Sequence, residues 1–436
     1  MLKKLLLSIL SGLLLFISWP PITTFNFLIF IALVPLLLLD ADLKKNDLSF
    51  RAFFFFPYLT FLIFNLFTTY WINYAHFGGA VFAILCNSLF MALVYYFYFR
   101  IKHFMPWKNS LFLLPILWIG FEYLHLNWDL SWPWLILGNV FSSNPNWVQW
   151  YSYTGVLGGT LWILIVNLLI TDFINRKNRC SVFFIILVLV IPLLISKCLY
   201  NLQTDLLMSN KEQINILVVQ PNIDPYQEKF SVPQQEQTDN LIQFIKPYMS
   251  DQINYILLPE TFLTAPIWEN SIMNNLDIKK FKRLISNYAY LQKDSSYIYP
   301  VSVIVGATTL KFSKKEPTAK PISAHNNKWY KVHNTVLHLQ AAQTFSSASN
   351  NEVRNIHSIP FKISKYYKSK LVPGAEKMPF NKFLFPVLGD KILNIGSSTS
   401  LGNFSTQDSI SLFRSKIYDF DTSINEKEKK HSIAPI

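Results

Sequence analysis

Cysteine is scarce in this chain. Only Cys86, Cys180 and Cys198 occur in 436 residues, all in or beside apolar runs, and none follows residue 198. That excludes a disulfide framework in the later half, and a cysteine nucleophile among those residues. No Cys or His spacing suits zinc, and no aromatic–basic motif of an RNA reader is present, so the sequence implies neither metal nor cofactor nor nucleic acid. Internal repeats are absent as well.

Apolar residues are what the chain has in excess. They make up 51% of it, with mean hydropathy +0.26. That is too apolar for an ordinary soluble protein and too polar for one that is all membrane. The excess lies before about residue 200, which divides the chain into a transmembrane domain over 1–200 and a second domain over 201–436. The first runs, about 4–19, 25–39, 52–71, 79–99, 110–126, 147–171 and 181–199, each approach the ~20 residues that cross a hydrocarbon core. About seven helices are expected. Met1-Leu-Lys-Lys and the run after it resemble a signal peptide but lack the small-residue cleavage pattern, so the first helix reads as retained.

Charge orients these runs. Lys3 and Lys4 precede the first. Lys44, Lys45 and Arg51 lie between the second and third, Arg100, Lys102 and Lys108 between the fourth and fifth, and Arg176, Lys177 and Arg179 between the sixth and seventh. The other loops hold no Lys or Arg. This alternation predicts a cytoplasmic N-terminus and an extracytoplasmic domain after the last span. The net charge of +13 is thus read as topology and affinity for anionic lipid. Glu122, His125 and Asp129 lie near the end of the fifth run, among tryptophans. They read either as a polar floor for a head group or, more simply, as solvated tips of an interfacial aromatic belt.

The later half alternates strands and helices. Ile214–Gln220, Tyr255–Glu260, Val301–Ala307, Val332–Gln340 and Ile392–Gly396 read as strands. Gln234–Tyr248 and Leu276–Leu291 read as helices. Continuous apolar strands alternating with helices predict a layered α/β domain. The polar stretches Lys311–Lys328 and Gln343–Ile356 read as surface insertions. Sites in such domains gather at the C-terminal ends of strands, where Glu260 stands. Taken singly, however, Glu260, Lys368 and Glu376 each read as surface residues, the last two flanking a Pro-Gly turn. His325, His333, His338 and His357 read as structural or exposed.

Taken together, the motifs say more. Gln220-Pro-Asn-Ile, Leu258-Pro-Glu-Thr261, Val305-Gly-Ala307, His333-Asn-Thr335 and Tyr367-Lys-Ser-Lys-Leu-Val-Pro-Gly-Ala-Glu376 follow the order seen in apolipoprotein N-acyltransferases. The membrane stretches Glu122–Trp134 and Val148–Gly155 resemble that family too. The Leu-Val-Pro-Gly-Ala-Glu wording departs from the commoner Leu-Val-Pro-Phe-Gly-Glu and is similar to Bacteroidetes-type members. The resemblance implies an α-helical polytopic membrane domain joined to an α/β nitrilase-like domain, an αββα sandwich, in the bacterial inner membrane.

The resemblance also assigns roles. Glu260 aligns with the general base, Lys368 with the oxyanion-stabilising lysine and Glu376 with a supporting carboxylate. Asn222, Phe230 and Asn334 align with substrate-binding positions, Phe230 standing where many members carry Trp. The partners implied are a phospholipid acyl donor and a diacylglyceryl apolipoprotein acceptor. In the family, an Ile-Ala-Pro strand leads into Cys-Tyr-Glu. Here the last residues are His431-Ser-Ile-Ala-Pro-Ile436. The implied expectation is a domain incomplete at its C-terminus, truncated just before the nucleophile and inactive alone. A membrane-tethered amidase-type hydrolase, or a non-catalytic lipid- or lipoprotein-binding membrane protein, are the competing readings.

Overall fold

The computed structural model describes residues 1–45, 50–102, 104, 107–177, 179–209, 214–224, 228–250, 252–291, 297–298, 301–316, 318–323, 326–341, 361–380, 383, 404–409, 411–419 and 427–433. The chain forms two compact units, Met1–Lys211 and Glu212–Ile436.

The first unit is helical: α1 Leu2–Ile17, α2 Ile29–Ala32, α3 Val34–Lys45, α4 Phe50–Thr69, α5 Phe77–Lys102, α6 Trp107–Asn127, α7 Tyr151–Thr154, α8 Val156–Arg176 and α9 Arg179–Ser209. Every apolar run of the sequence is helical over at least part of its length. Four segments, Phe53–Tyr74, Phe77–Lys102, Val156–Arg176 and Cys180–Asp205, are long and apolar enough to cross a membrane. Thr24–Leu39 and Phe112–Asn127 are shorter apolar helices. The protein is therefore a multi-pass membrane protein.

Two runs depart from the expectation of single helices. Run 147–171 breaks at Gly155, whose φ of +66° ends α7 before α8 begins; such a φ is open to glycine without a Cβ penalty. Run 25–39 breaks between α2 and α3. There Asn167 of α8 inserts its amide into the helical ladder. Its Nδ2 donates to Ile29 O and its Oδ1 accepts from Leu33 N–H, both at 2.9 Å. The side chain thus takes the place of an i→i+4 backbone bond and satisfies both groups where water is absent.

Glu122 on α6 is not a solvated tip. It is 2% exposed and accepts from Trp118 Nε1 at 3.0 Å, Leu137 N–H at 2.8 Å and Thr160 Oγ1 at 2.6 Å. A carboxylate inside an apolar bundle persists only when such donors surround it. Here it ties α6 and α8 to the irregular segment after Trp132. His125 is buried as well, between Phe90 and Phe121.

The second unit is built on a mixed seven-stranded sheet. Its strands are β1 Asn215–Val218, β2 Ile253–Leu257, β3 Leu263–Trp268, β5 Ser302–Ser313, β6 Lys320–Ser323, β7 Asn326–Ala341 and β8 Phe361–Tyr367; β4 Tyr297–Ile298, β9 Phe413–Asp419 and β10 Lys427–Ile433 form a separate antiparallel sheet. β1, β2 and β5 run parallel, and β5, β7 and β8 run antiparallel. Helices α10 Gln234–Ile245 and α11 Leu276–Leu291 cover one face. Their Leu241, Ile245, Phe281 and Ile285 pack on Val303, Val305, Leu337 and Leu339 in one apolar core.

The stretch Lys311–Lys328 is not a plain insertion. β5 and β7 stay paired out to Ser313↔Trp329, and β6 adds a third strand. A backbone ladder needs no apolar side chain, so this ribbon continues beyond the core with polar residues. The whole of the second polar stretch, Gln343–Ile356, and the expected strand 392–396 lie outside the described residues.

Candidate active site

Four of the side chains singled out in the sequence meet beyond the ends of β2 and β8. Past Leu257 the chain runs on beside β5, with Leu258 N–H donating to Ile304 O at 2.9 Å and Gly306 N–H to Pro259 O at 3.3 Å. This carries Glu260 over Gly306. A Cβ on Gly306 would lie 2.4 Å from Thr261 N and 2.7 Å from Glu260 Cα, so only glycine lets the two backbones approach this closely. The next residue, Thr261, has a φ of +54°, a strained conformation for a β-branched residue.

Asn334 projects from β7 towards Glu260. The register Thr335↔Tyr367 sets the neighbouring Lys368 beside it, and Lys368 N–H donates to Asn334 O at 2.8 Å. Lys368 then leads into the Pro-Gly turn, where Gly374 has a φ of +79°. Glu376 closes that turn. Its Oε2 accepts from Val372 N–H at 2.8 Å, and its own N–H donates to Val372 O at 2.9 Å.

Lys368 Nζ lies 2.9 Å from Glu260 Oε1 and 3.1 Å from Glu376 Oε2. Asn334 Nδ2 donates to Glu260 Oε1 at 2.7 Å and to Glu376 Oε1 at 2.8 Å. One ammonium and one amide therefore clasp two carboxylates. Glu260 Oε2 makes no hydrogen bond among the described residues. The Glu260 side chain is 61% exposed, against 26% for Lys368 and 14% for Glu376: Glu260 is open and its partners are sheltered.

Electrostatics follow from this packing. Partial burial would raise the Glu260 carboxyl. The Lys368 hydrogen bond and charge, the Asn334 hydrogen bond and the charge of Lys229 outweigh it and hold the group below its ordinary range. Burial would lower Lys368. Its hydrogen bond to Glu260 and the charge of Glu376 outweigh that and raise it. Glu260 and Lys368 thus each favour the other's charged form. Such an arrangement can accept a proton at Glu260 and present positive charge to a developing oxyanion.

The reverse face of β7 and β8 supports it. His333 stacks on Tyr367 at 4.1 Å between centroids. Tyr367 OH donates to Glu269 Oε2 at 3.0 Å, and Lys365 pairs with the same oxygen at 2.5 Å. His333 is buried, and burial pulls its imidazole down to about 4. Tyr367 is thereby fixed just before Lys368.

Asn222 and Phe230 are placed differently. Asn222 is exposed with a φ of +54°, and Phe230 is 64% exposed. Neither hydrogen-bonds the four among the described residues. Asn334 spends both of its amide protons on the carboxylates. Two features escape a reading of the sequence. One is the backbone N–H of Val372. The other is Lys229, whose charge faces Glu260; it reads as one more surface lysine, and its only signal was its place beside Phe230.

Comparison with known proteins bears on the whole chain. A profile of the apolipoprotein N-acyltransferase N-terminal domain matches residues 11–169. An apolipoprotein N-acyltransferase from Chlorobaculum tepidum is 27% identical over 395 residues, covering 88% of this chain and 67% of that protein. Apolipoprotein N-acyltransferase 1 from Treponema denticola is 24% identical, with coverage of 88% and 68%. The apolipoprotein N-acyltransferase from Borreliella burgdorferi is 23% identical, with coverage of 83% and 62%. The chain thus spans about two thirds of the length of the relatives it matches.

Proposed function

The chain belongs to the apolipoprotein N-acyltransferase family, and from that premise we propose that its site handles a phospholipid acyl donor and the diacylglyceryl-cysteine N-terminus of an apolipoprotein. The observation that carries this reading is the clasp of Glu260, Asn334, Lys368 and Glu376. The second unit is read as a nitrilase-like domain of the αββα type. The positive charges on alternate loops put the N-terminus in the cytoplasm and residues after about 200 outside an inner membrane.

The chemistry of the complete reaction explains the residue types. Glu260 takes the proton of a thiol, because the thiolate is the nucleophile. The thiolate attacks a phospholipid ester, and Lys368 faces the oxyanion of the tetrahedral intermediate. Glu376 holds Lys368 and closes the turn. Collapse, with the proton passing from Glu260 to the departing oxygen, expels lysophospholipid and leaves a thioester. The free α-amine of the acceptor then attacks the thioester carbonyl, forms the amide and releases the thiol.

The sulfur for that step is not among residues 199–436. The 436-residue chain is therefore assigned binding and the base–cation half of the chemistry, without acyl-enzyme formation. Mass spectrometry after incubation of the purified chain with phospholipid tests this. An unmodified mass is expected, with measurable binding of a diacylglyceryl lipopeptide. A stable acyl adduct would refute the assignment. A chain that binds neither lipid nor lipopeptide would refute the family role of the site.

A further inference from the structure

Lys229 is the second cation at this site. It lies within electrostatic reach of Glu260, yet no hydrogen bond or ion pair engages its ammonium among the described residues. Lys368, by contrast, is held by two carboxylates. Lys229 is also fixed in place. Its N–H donates to Asp224 O at 2.9 Å. Its carbonyl accepts from Gln237 Nε2 at 3.0 Å, and the same amide donates to Val232 O at 2.8 Å. Gln237 is 5% exposed on the first turns of α10. One turn earlier, Gln234 Oε1 accepts from Thr264 N–H at 2.8 Å and Thr264 Oγ1 at 2.9 Å. The start of α10 thus ties the segment bearing Lys229 to the one that follows Glu260. Phe230, next in sequence, leaves an apolar ring 64% exposed.

We propose that Lys229 is the specificity residue that receives the phosphate of a glycerophospholipid, with the Phe230 ring against its apolar part. This rests on the acyl-donor reading of the site. The donor's own connectivity supports it. In a glycerophospholipid the phosphorus is five or six bonds from the ester carbonyl carbon. An ester carbonyl brought to Glu260 therefore carries its phosphodiester only a short way from that residue. A cation within electrostatic reach of Glu260, on a segment that α10 ties to the one following Glu260, is what such an anion meets. Lys368 is committed to Glu260, to Glu376 and, in the acyl-donor reading, to the oxyanion, so the phosphate calls for a second cation. A lysine acts here as a mobile point charge, so it fits a phosphodiester without fixing the rest of the head group.

The test uses the full chain in a neutral-headgroup detergent. Binding of a short-chain diacyl phosphatidylglycerol is measured beside that of the matching diacylglycerol, which has the same esters and no phosphate. The wild type is expected to prefer the phospholipid by about tenfold, the effect of one partly screened charged hydrogen bond. Lys229→Gln is expected to remove that preference and leave diacylglycerol binding unchanged. Lys229→Arg should keep it within about threefold. Inorganic phosphate should compete poorly. An unchanged preference in Lys229→Gln overturns the proposal, and so does an equal loss for both ligands. Equal competition by inorganic phosphate assigns the site to free anion and overturns the lipid assignment. A wild type that binds neither lipid refutes the acyl-donor reading itself.

Discussion

Gly306→Ala is the sharpest perturbation of this site, because it adds one methyl group and removes nothing. The added Cβ would lie 2.4 Å from Thr261 N, 2.7 Å from Glu260 Cα and 2.7 Å from Pro259 O. All three are backbone atoms, so no side chain can swing aside. Ordinary contact begins near 3.4 Å, so the Pro259–Thr261 segment must retreat by about 1 Å. Overpacking of this kind costs roughly 1–3 kcal/mol, offset by about 0.5–1 kcal/mol from the smaller entropy of unfolded alanine. The net expectation is a destabilisation of about 1–2 kcal/mol. The functional effect should be larger, since a shift of about 1 Å in a positioned group can cost ~100-fold. Two measurements follow the effect. Urea unfolding gives the stability change. Hydrogen exchange of the peptide spanning residues 258–264 reports the loosened contact of Glu260 with Lys368 and Asn334. Gly374→Ala is the control. Its φ is +79° but a Cβ there meets nothing within 4 Å, so it should lose about 1 kcal/mol through backbone strain alone. Exchange near Glu260 should then stay unchanged. A Gly306→Ala protein with wild-type stability and wild-type exchange would refute the close-approach argument.

Asn334→Asp puts a third carboxylate between Glu260 and Glu376 in place of two donors. It should destabilise the second unit by about 1–3 kcal/mol at pH 7, read from urea unfolding; a wild-type midpoint would contradict the clasp. Acid should destabilise the second unit in the wild type too. Burial pulls both His333 and His338 from 6.5 down to about 4, so the unfolded chain takes up protons that the folded chain refuses. Stability then rises with pH across about 4 to 6.5, by up to about 3 kcal/mol for each imidazole. Urea midpoints at either end of that window check it, and a flat profile would count against burial. In the first unit, Glu122→Leu strands the Leu137 N–H, Trp118 Nε1 and Thr160 hydroxyl. At about 1 kcal/mol or more for each abandoned donor, thermal stability in detergent should fall markedly, with Glu122→Gln milder; equal stabilities would show the node to be dispensable.

The sequence alone determined the helical type of the apolar runs in the first half. Membrane helices are legible because about 20 residues of apolar composition are needed whatever surrounds them, and α11 runs over the Leu276–Leu291 expected of it. Strands β1, β2 and β5 were legible as continuous apolar runs bounded by turn residues, whereas β3 and β8 were not read from the sequence. The motif around Glu260, Lys368 and Glu376 was also on the page, but as three residues with no distance between them. Only the tertiary structure decided the rest. Asn167 breaks a helix that lies more than a hundred residues away in sequence, an effect local periodicity cannot register. Glu122 proved to be a buried node because two of its three donors, Leu137 N–H and Thr160 Oγ1, come from other stretches of chain. The 311–328 ribbon is polar and paired because backbone ladders ignore side-chain polarity. Charge placement was the least legible feature. Apart from the motif that surrounds Lys368, nothing in one dimension separates that lysine, bound by two carboxylates, from Lys229, whose ammonium has no hydrogen bond among the described residues. That difference exists only where β7, β8 and the turn at Gly374 bring their partners within 3 Å or so, because electrostatic strength depends on separation and dielectric and not on sequence order.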